Sequence, residues 1–256
     1  MHPQKSKLLY HLGNNLITLG RLQCAEDSLD THEIWFVGEV MNEITHLPYD
    51  SFLIPFLSKF QIDINSLTPN DILNIENWGL GYLDPFEDRD HKVRLSVQSD
   101  ATVVTKNTVV LFEFKKPHKT PSQNSFDIRQ IGRQAILAAK LSSENKISKW
   151  KSIIVCNTAP KLHIRNVGLL SPHEAANMYF KEKNEWSDNS IVKNLLPKVN
   201  ISAENYYVLN WTDFINKGIE TLKEAVLNCG SIGLKRLHEN AIESLLFFLE
   251  RRKDYL

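Results

Sequence analysis

Cysteine is scarce in this chain of 256 residues, and no long apolar run interrupts it. Cys24, Cys156 and Cys229 lie far apart and match no metal-ligand spacing, which argues against a zinc site and against a disulfide framework. No stretch approaches the roughly 20 apolar residues that a membrane-spanning helix needs. We therefore expect no membrane partner and a reducing compartment, the cytoplasm, or the nucleus if the source is eukaryotic.

An excess of either charge is also missing, since 30 Lys and Arg residues balance 30 Asp and Glu residues. Any binding of nucleic acid must then depend on a local basic cluster rather than on a global positive field. The glycine-rich motifs of nucleotide hydrolases and dinucleotide enzymes are absent, as is the Gly-x-Ser-x-Gly of serine hydrolases. The chain has 42% hydrophobic and 23% charged residues, which is the composition of a globular domain.

The first part of the chain, residues 1–80, shows the apolar spacing of helices. Within residues 32–45, apolar side chains recur every three to four positions, which predicts one apolar helix face. Residues 50–60 indicate a second helix, interrupted by Pro55. A further helix start is predicted at Thr68, where a hydroxyl cap precedes a proline and an acid.

From residue 92 the apolar period changes to two, and β-branched residues predominate. We predict a three-stranded meander, then a helix capped by Asn124 or Ser125, two buried strands separated by helix and loop, and a C-terminal helix. The predicted strands are residues 93–98, 101–105, 108–115, 151–157 and 205–210, and the helices end near residues 141 and 251.

This order of elements predicts an α/β fold in a single domain, 1–256. Its expected parts are helical additions at residues 1–80 and 213–256 and an α/β core at residues 81–212.

The strand beginning at Thr108 carries the chemistry. Its period-two alternation places Glu113 and Lys115 on one face, together with Val109 and Leu111. A tight turn at Lys106 and Asn107 would pair residues whose numbers sum to 213, so that Val104 faces Val109 and Asp100 faces Glu113. Two carboxylates and an ammonium are then expected on one patch.

Carboxylates that face each other in a ladder repel unless a positive charge lies between them. A divalent cation supplies that charge, and Asp100, Glu113 and the carbonyl of Phe114 form an oxygen set that suits Mg²⁺ or Mn²⁺. The Lys115 ammonium would orient or deprotonate a water and stabilise charge on a phosphorane-like transition state.

Asp100, followed by Glu113-Phe114-Lys115 on the next strand, resembles the motif of the PD-(D/E)XK, or restriction-endonuclease-like, nuclease superfamily. The resemblance covers residues 33–157 and implies a restriction-endonuclease-like core, in which a helix precedes a three-stranded meander, a helix and a further strand. It also implies that Asp100 and Glu113 are metal ligands and that Lys115 is the catalytic lysine. Ser99 stands where the family's name-giving proline would be.

Some members of this superfamily add a glutamate on the first core helix and a glutamine on the helix after the motif. Gln130 is the candidate for the catalytic glutamine, with Arg133 or Gln134 nearby to hold phosphate. Gln134 occupies the place of the tyrosine in the exonuclease-like branch. The candidates for the glutamate are Glu33, Glu39 and Glu43, of which Glu43 is favoured, and Lys116 and Lys119 are candidates for phosphate binding.

The resemblance implies a metal-dependent nuclease that acts on DNA in preference to RNA, with the helical additions supplying substrate grip or a homodimer interface. Two alternatives stay open. One is a catalytically silent nucleic-acid-binding or regulatory module with the same fold. The other is an unrelated scaffold in which acid and lysine form the solvated face of a surface hairpin.

Overall fold

The computed structural model describes residues 40, 47–65, 67–77, 84–88, 93–97, 99–115, 125–181 and 190–253. Its helices are α1, Ile54–Ser58, which continues a π-helical turn at Tyr49–Leu53, then α2, Ile128–Glu144, α3, Pro172–Lys181, α4, Ser190–Leu195, α5, Trp211–Asn228, and α6, Ile232–Arg252. Its strands are β1, Ile72–Asn77, β2, Asp84–Asp88, β3, Val93–Val97, β4, Ala101–Thr105, β5, Thr108–Phe114, β6, Lys149–Val155, β7, Leu162–Ile164, β8, Gly168–Leu170, and β9, Tyr206–Leu209.

A five-stranded mixed sheet organises the chain, in the order β1-β4-β5-β6-β9. The first three strands pair antiparallel, whereas β5, β6 and β9 run parallel. Strands β2 with β3 and β7 with β8 form two small separate sheets. The architecture is therefore α/β, as predicted.

Both faces of the five-stranded sheet are buried. On one face, Phe112 and Phe114 pack with Phe56 of α1, Phe214 of α5 and Phe248 of α6. On the other face, Val109 and Leu111 of β5 pack with residues from α2, α3 and α4, which include Ile131, Ala175 and Val192. Burial on both sides explains why the central strands are continuous apolar runs.

The part predicted to be mostly helical contains a sheet strand. Thr68 is the N-cap, as predicted, and forms a capping box with Asp71, but this cap starts only the short 3₁₀ turn Pro69–Asp71. The chain then continues as β1, because Ile72–Asn77 pairs with the open edge of β4. The predicted helix at Thr68 was wrong, because Ile72–Asn77 is a strand.

The predicted three-stranded meander is also corrected. Val93–Val97 is a strand, but it pairs with Asp84–Asp88 outside the main sheet. Strand β1 takes the place beside β4 that β3 was expected to fill. An apolar alternation predicts that a strand forms and leaves its partner undetermined.

Helix α2 begins later than predicted. Asp127, rather than Asn124 or Ser125, is the N-cap, and its carboxylate accepts a hydrogen bond from the Arg129 amide. The helix over residues 50–60 is confirmed, with Pro55 in the first turn of α1. The helix predicted over residues 32–45 lies outside the described residues apart from Val40, which is helical and buried. No helix in the described part of the chain is long and apolar enough to cross a membrane.

Helices α2 and α3 approach so closely that Gly132 admits no side chain. A Cβ there would overlap the buried Tyr179 ring, with the ring carbons Cγ and Cε1 at 2.5 and 2.6 Å. Gly132→Ala should therefore lower the free energy of unfolding by about 1–3 kcal/mol, although alanine is the better helix former. Urea unfolding measures the change.

Gly218 in α5 supplies the matched control. A Cβ at Gly218 would meet its nearest neighbour, Leu245 Cδ1, at an ordinary 3.5 Å. Gly218→Ala is therefore expected to leave stability equal or higher. Equal destabilisation of both variants would contradict a specific contact between α2 and α3.

Candidate active site

The predicted acids lie at one edge of the sheet. The carboxyl ends of the parallel strands β5, β6 and β9 meet there, and β4 begins there because it runs antiparallel to β5. Glu113 is near the end of β5, and Asp100 immediately precedes β4. In open α/β sheets, ligands bind outside the carboxyl ends of parallel strands.

Glu113 is buried against α2. The predicted alternation of β5 is confirmed, since Val109 and Leu111 pack on the α2 side while Phe112 and Phe114 pack on the other. Glu113 follows the α2 side and is 7% exposed. Its Oε1 accepts a 3.3 Å hydrogen bond from Gln130 Nε2, and its Oε2 accepts a 2.5 Å hydrogen bond from Gln134 Nε2.

Asp100 is half-buried where the ladder between β4 and β5 ends. The predicted pairing of Val104 with Val109 is confirmed, but the ladder stops at Ala101 and Phe112, one pair short of Asp100 and Glu113. The Asp100 amide donates to the Phe112 carbonyl at 3.1 Å. Its carboxylate Oδ2 accepts from the Phe114 amide at 2.7 Å, which turns it toward the residue that follows Glu113.

Ser99 supports this irregular end of the hairpin. Its buried hydroxyl is placed to bond the carbonyl of Ala101 at 2.7 Å and that of Phe112 at 2.9 Å. A proline at this position could make neither contact. Serine therefore has a local role where the superfamily's motif carries proline.

The backbone of Lys115 is held from two sides. Its amide donates to the Val155 carbonyl at 2.8 Å, and its carbonyl accepts from the Trp211 indole at 2.8 Å. The ammonium lies 5.4 Å from the centre of the Phe126 ring, within the range of a cation–π contact. Since Phe126 belongs to the α2-side cluster, Lys115 lies on the same side of the sheet as Glu113.

Gln130 and Gln134 of α2 both donate hydrogen bonds to the Glu113 carboxylate. Gln134, expected near phosphate, is 2% exposed, and its Oε1 accepts from the Ser152 hydroxyl at 2.9 Å. Its amide thus has partners inside the protein at both ends, and no contact supports a phosphate role. Arg133 is half-buried on the same helix, and its phosphate role stays a prediction.

Ser152 was not among the site residues predicted from the sequence. It lies in β6, is fully buried and belongs to no motif. The signal that could have found it was a hydroxyl inside an otherwise apolar strand, because a buried polar group needs a partner.

The N-terminus of α2 is organised around Asp127. The Arg129 side chain donates to both oxygens of its carboxylate at 3.1 Å or less, and these hydrogen bonds hold the pKa of Asp127 below its usual value. The Asp127 backbone amide in turn donates to Gln130 Oε1 at 3.2 Å. Asp127 therefore orients the amide that reaches Glu113.

The donor set suits a hard cation with few protein ligands. Among the residues that the structure describes, no three His, Cys, Asp or Glu side chains gather as a metal cage would require. Mg²⁺ commonly uses only one or two carboxylates, together with water and substrate phosphate, so that Asp100 and Glu113 fit it. Burial raises the pKa of the Cys156 thiol at the same sheet edge, which disfavours a thiolate ligand.

Several predicted residues lie outside the described part of the chain. They are Glu33, Glu39, Glu43, Lys116 and Lys119. Their roles stay predictions. Phe114 is described, and its carbonyl stays a predicted ligand.

A cleft of about 430 Å³ opens beside this edge, at the end of β9. It is lined by Asn210, Asp213, Lys217 and Glu220 among others, and by none of the three motif residues. Two carboxylates against one ammonium make it a poor phosphate site.

No protein-family model, no curated protein and no solved structure matches this chain.

Proposed function

We propose that this protein is a metal-dependent nuclease of the PD-(D/E)XK type that hydrolyses phosphodiester bonds, with DNA preferred over RNA. The observation that carries the proposal is the buried Glu113 carboxylate at the carboxyl end of β5, with Asp100 and Lys115 at the same edge. A charged group is rarely placed at such depth for solubility alone. The alternative of a solvated hairpin face is correspondingly weakened.

The order of elements adds support. The proposed core is restriction-endonuclease-like and consists of strands β1, β4 and β5, helix α2 and strand β6, in that order along the chain. In this proposal β1 fills the first position of the meander.

Asp100 and Glu113 are the proposed ligands of Mg²⁺ or Mn²⁺, and a bound cation would supply a Lewis acid and an acidified water. Glu113 would bind through acceptor positions that the two glutamine amides leave, since a carboxylate has about four. The Lys115 ammonium would contact the attacking water or a phosphate oxygen. Water would add to phosphorus as the bond from phosphorus to the leaving oxygen breaks. The attacking water gives one proton to solvent, and the leaving oxygen takes one proton up from solvent.

Nucleic acid is the proposed partner, and a homodimer would place two sites on the two strands of a duplex. The basic candidates Lys116 and Lys119 would contact its phosphates.

The test is cleavage of circular, linear and single-stranded DNA and of RNA by the full chain with Mg²⁺, with Mn²⁺ or with EDTA. Lys115→Ala and Asp100→Asn should each lower metal-dependent cutting by about 100-fold or more. Lys149→Ala is the control, because this exposed lysine begins β6 at the opposite edge of the sheet.

We expect wild type and the Lys149→Ala variant to cut nucleic acid. We expect this cutting to be lost with EDTA and in both site variants. No cutting by wild type on any substrate would overturn the proposal and favour the catalytically silent module. Equal cutting by the Lys115→Ala variant alone would remove Lys115 from the catalytic machinery. Equal cutting by both site variants would show that the proposed site is not responsible for the activity.

A further inference from the structure

The two glutamine amides that contact Glu113 each accept a hydrogen bond from another group, and this bond sets the orientation of the amide. Gln134 receives the Ser152 hydroxyl on Oε1, and Gln130 receives the Asp127 backbone amide on Oε1. Each side chain must then direct its NH₂ group at Glu113. Rotating either amide by half a turn would set carbonyl oxygen against carboxylate and NH₂ against a donor.

This arrangement presents hydrogen-bond donors to both oxygens of Glu113. Both of its oxygens accept hydrogen bonds from amide groups, and an ionised carboxylate is an acceptor only. The two amides thus hold the Glu113 carboxylate in one orientation, as a ligand of a cation requires.

Ser152 is linked to the proposed metal ligand Glu113 through Gln134. It is fully buried in β6, and the neighbouring residues on its side of the strand, Trp150 and Ile154, belong to the apolar cluster under α2. The contacts run from the Ser152 hydroxyl to Gln134, and from Gln134 to Glu113. A hydroxyl in this apolar layer has a defined task there, to hold the Gln134 carbonyl oxygen.

We propose that Ser152 and Gln134 are positioning residues that fix the Glu113 carboxylate for a divalent cation, with Ser152 acting only through Gln134. The proposal rests on the proposed function, since it assigns these residues to the same metal site. Its signature is weakened metal affinity that excess metal restores, in a protein that remains folded.

The test titrates the full-length protein with Mn²⁺, monitored by electron paramagnetic resonance, and measures cleavage over the same Mn²⁺ range. Ser152→Ala removes the hydroxyl and should weaken Mn²⁺ binding about tenfold, a usual effect for a residue behind a metal ligand. Saturating Mn²⁺ should return its rate to near the wild-type value. Gln134→Glu, which keeps the shape and places an acid against Glu113, should weaken Mn²⁺ binding further.

Ser142→Ala is the matched control. Ser142 is a buried serine of α2, and in the described part of the chain its hydroxyl has no hydrogen-bond partner. Removing it should leave Mn²⁺ affinity unchanged. Thermal unfolding of each variant shows whether the fold is retained at the assay temperature.

Two results would overturn the inference while the nuclease proposal stands. One is wild-type Mn²⁺ affinity in the Ser152→Ala variant. The other is a rate that saturating Mn²⁺ fails to restore, together with a lowered unfolding midpoint, which would make Ser152 a stability residue. If wild type itself neither binds Mn²⁺ nor cuts nucleic acid, the proposed function and this inference both fail.

Discussion

Glu113→Gln is expected to lower metal-dependent cleavage by about 100- to 1,000-fold, the equivalent of the several kcal/mol that a positioned cation contributes. The substitution keeps the shape of the side chain and removes its negative charge. It also places an NH₂ group against the NH₂ group of either Gln130 or Gln134, because each of these amides donates to a different oxygen of Glu113. We therefore expect the variant to lose metal affinity and, at the same time, the matched hydrogen bonding between residue 113 and the two glutamine amides.

The measurement is the initial rate of DNA cleavage across a range of Mg²⁺ concentrations, at a temperature where circular dichroism shows a folded variant. Glu144→Gln is the matched control, since Glu144 ends α2 with its side chain 54% exposed. Its rate should equal that of wild type. A Glu113→Gln variant that cuts at the wild-type rate would remove Glu113 from the catalytic machinery.

Phe214→Ala should lower the free energy of unfolding by about 3–5 kcal/mol, which is a large part of the stability of a typical domain. Phe214 is fully buried in α5, and its ring lies edge-on to Phe56 at 5.5 Å and to Phe114 at 5.2 Å between centroids. It also neighbours Phe60 and Phe112. Truncation would leave a cavity where α1 and α5 meet the sheet.

Urea unfolding monitored by circular dichroism measures the loss. Phe247→Ala is the control, because Phe247 lies on α6 with 62% of its surface exposed. Its removal should change stability by no more than about 0.5 kcal/mol. Similar losses in the two variants would contradict the assignment of Phe214 to the centre of the core.

The hairpin of β4 and β5 could be predicted from local sequence. A tight turn at Lys106 and Asn107 sets the register, and β-branched residues on both sides favour strands. The pairing of Val104 with Val109 is a consequence of that turn. Only the end of the ladder differs, where the Asp100 amide bonds the Phe112 carbonyl instead of pairing regularly.

Strand β1 could not be predicted in this way. Its capping box is present in the sequence and in the structure, yet pairing with β4 overrides continuation of the helix. The two strands of this pair are far apart along the chain. A local signal starts a turn, and the distant edge of β4 decides that the chain continues as a strand.

The sequence by itself determined the strand that carries Glu113 and ends just before Lys115, the face that the two residues share and the α/β class. Alternation and turn chemistry act between neighbours in the chain, which is why these features could be predicted. Only the tertiary structure decided which strand lies beside β4, how deeply Glu113 is buried and which donors surround it. Gln134 and Ser152 lie 18 residues apart, and no local pattern links them. Their contact exists because α2 packs across β5 and β6, and packing of that kind depends on the shape of the whole core.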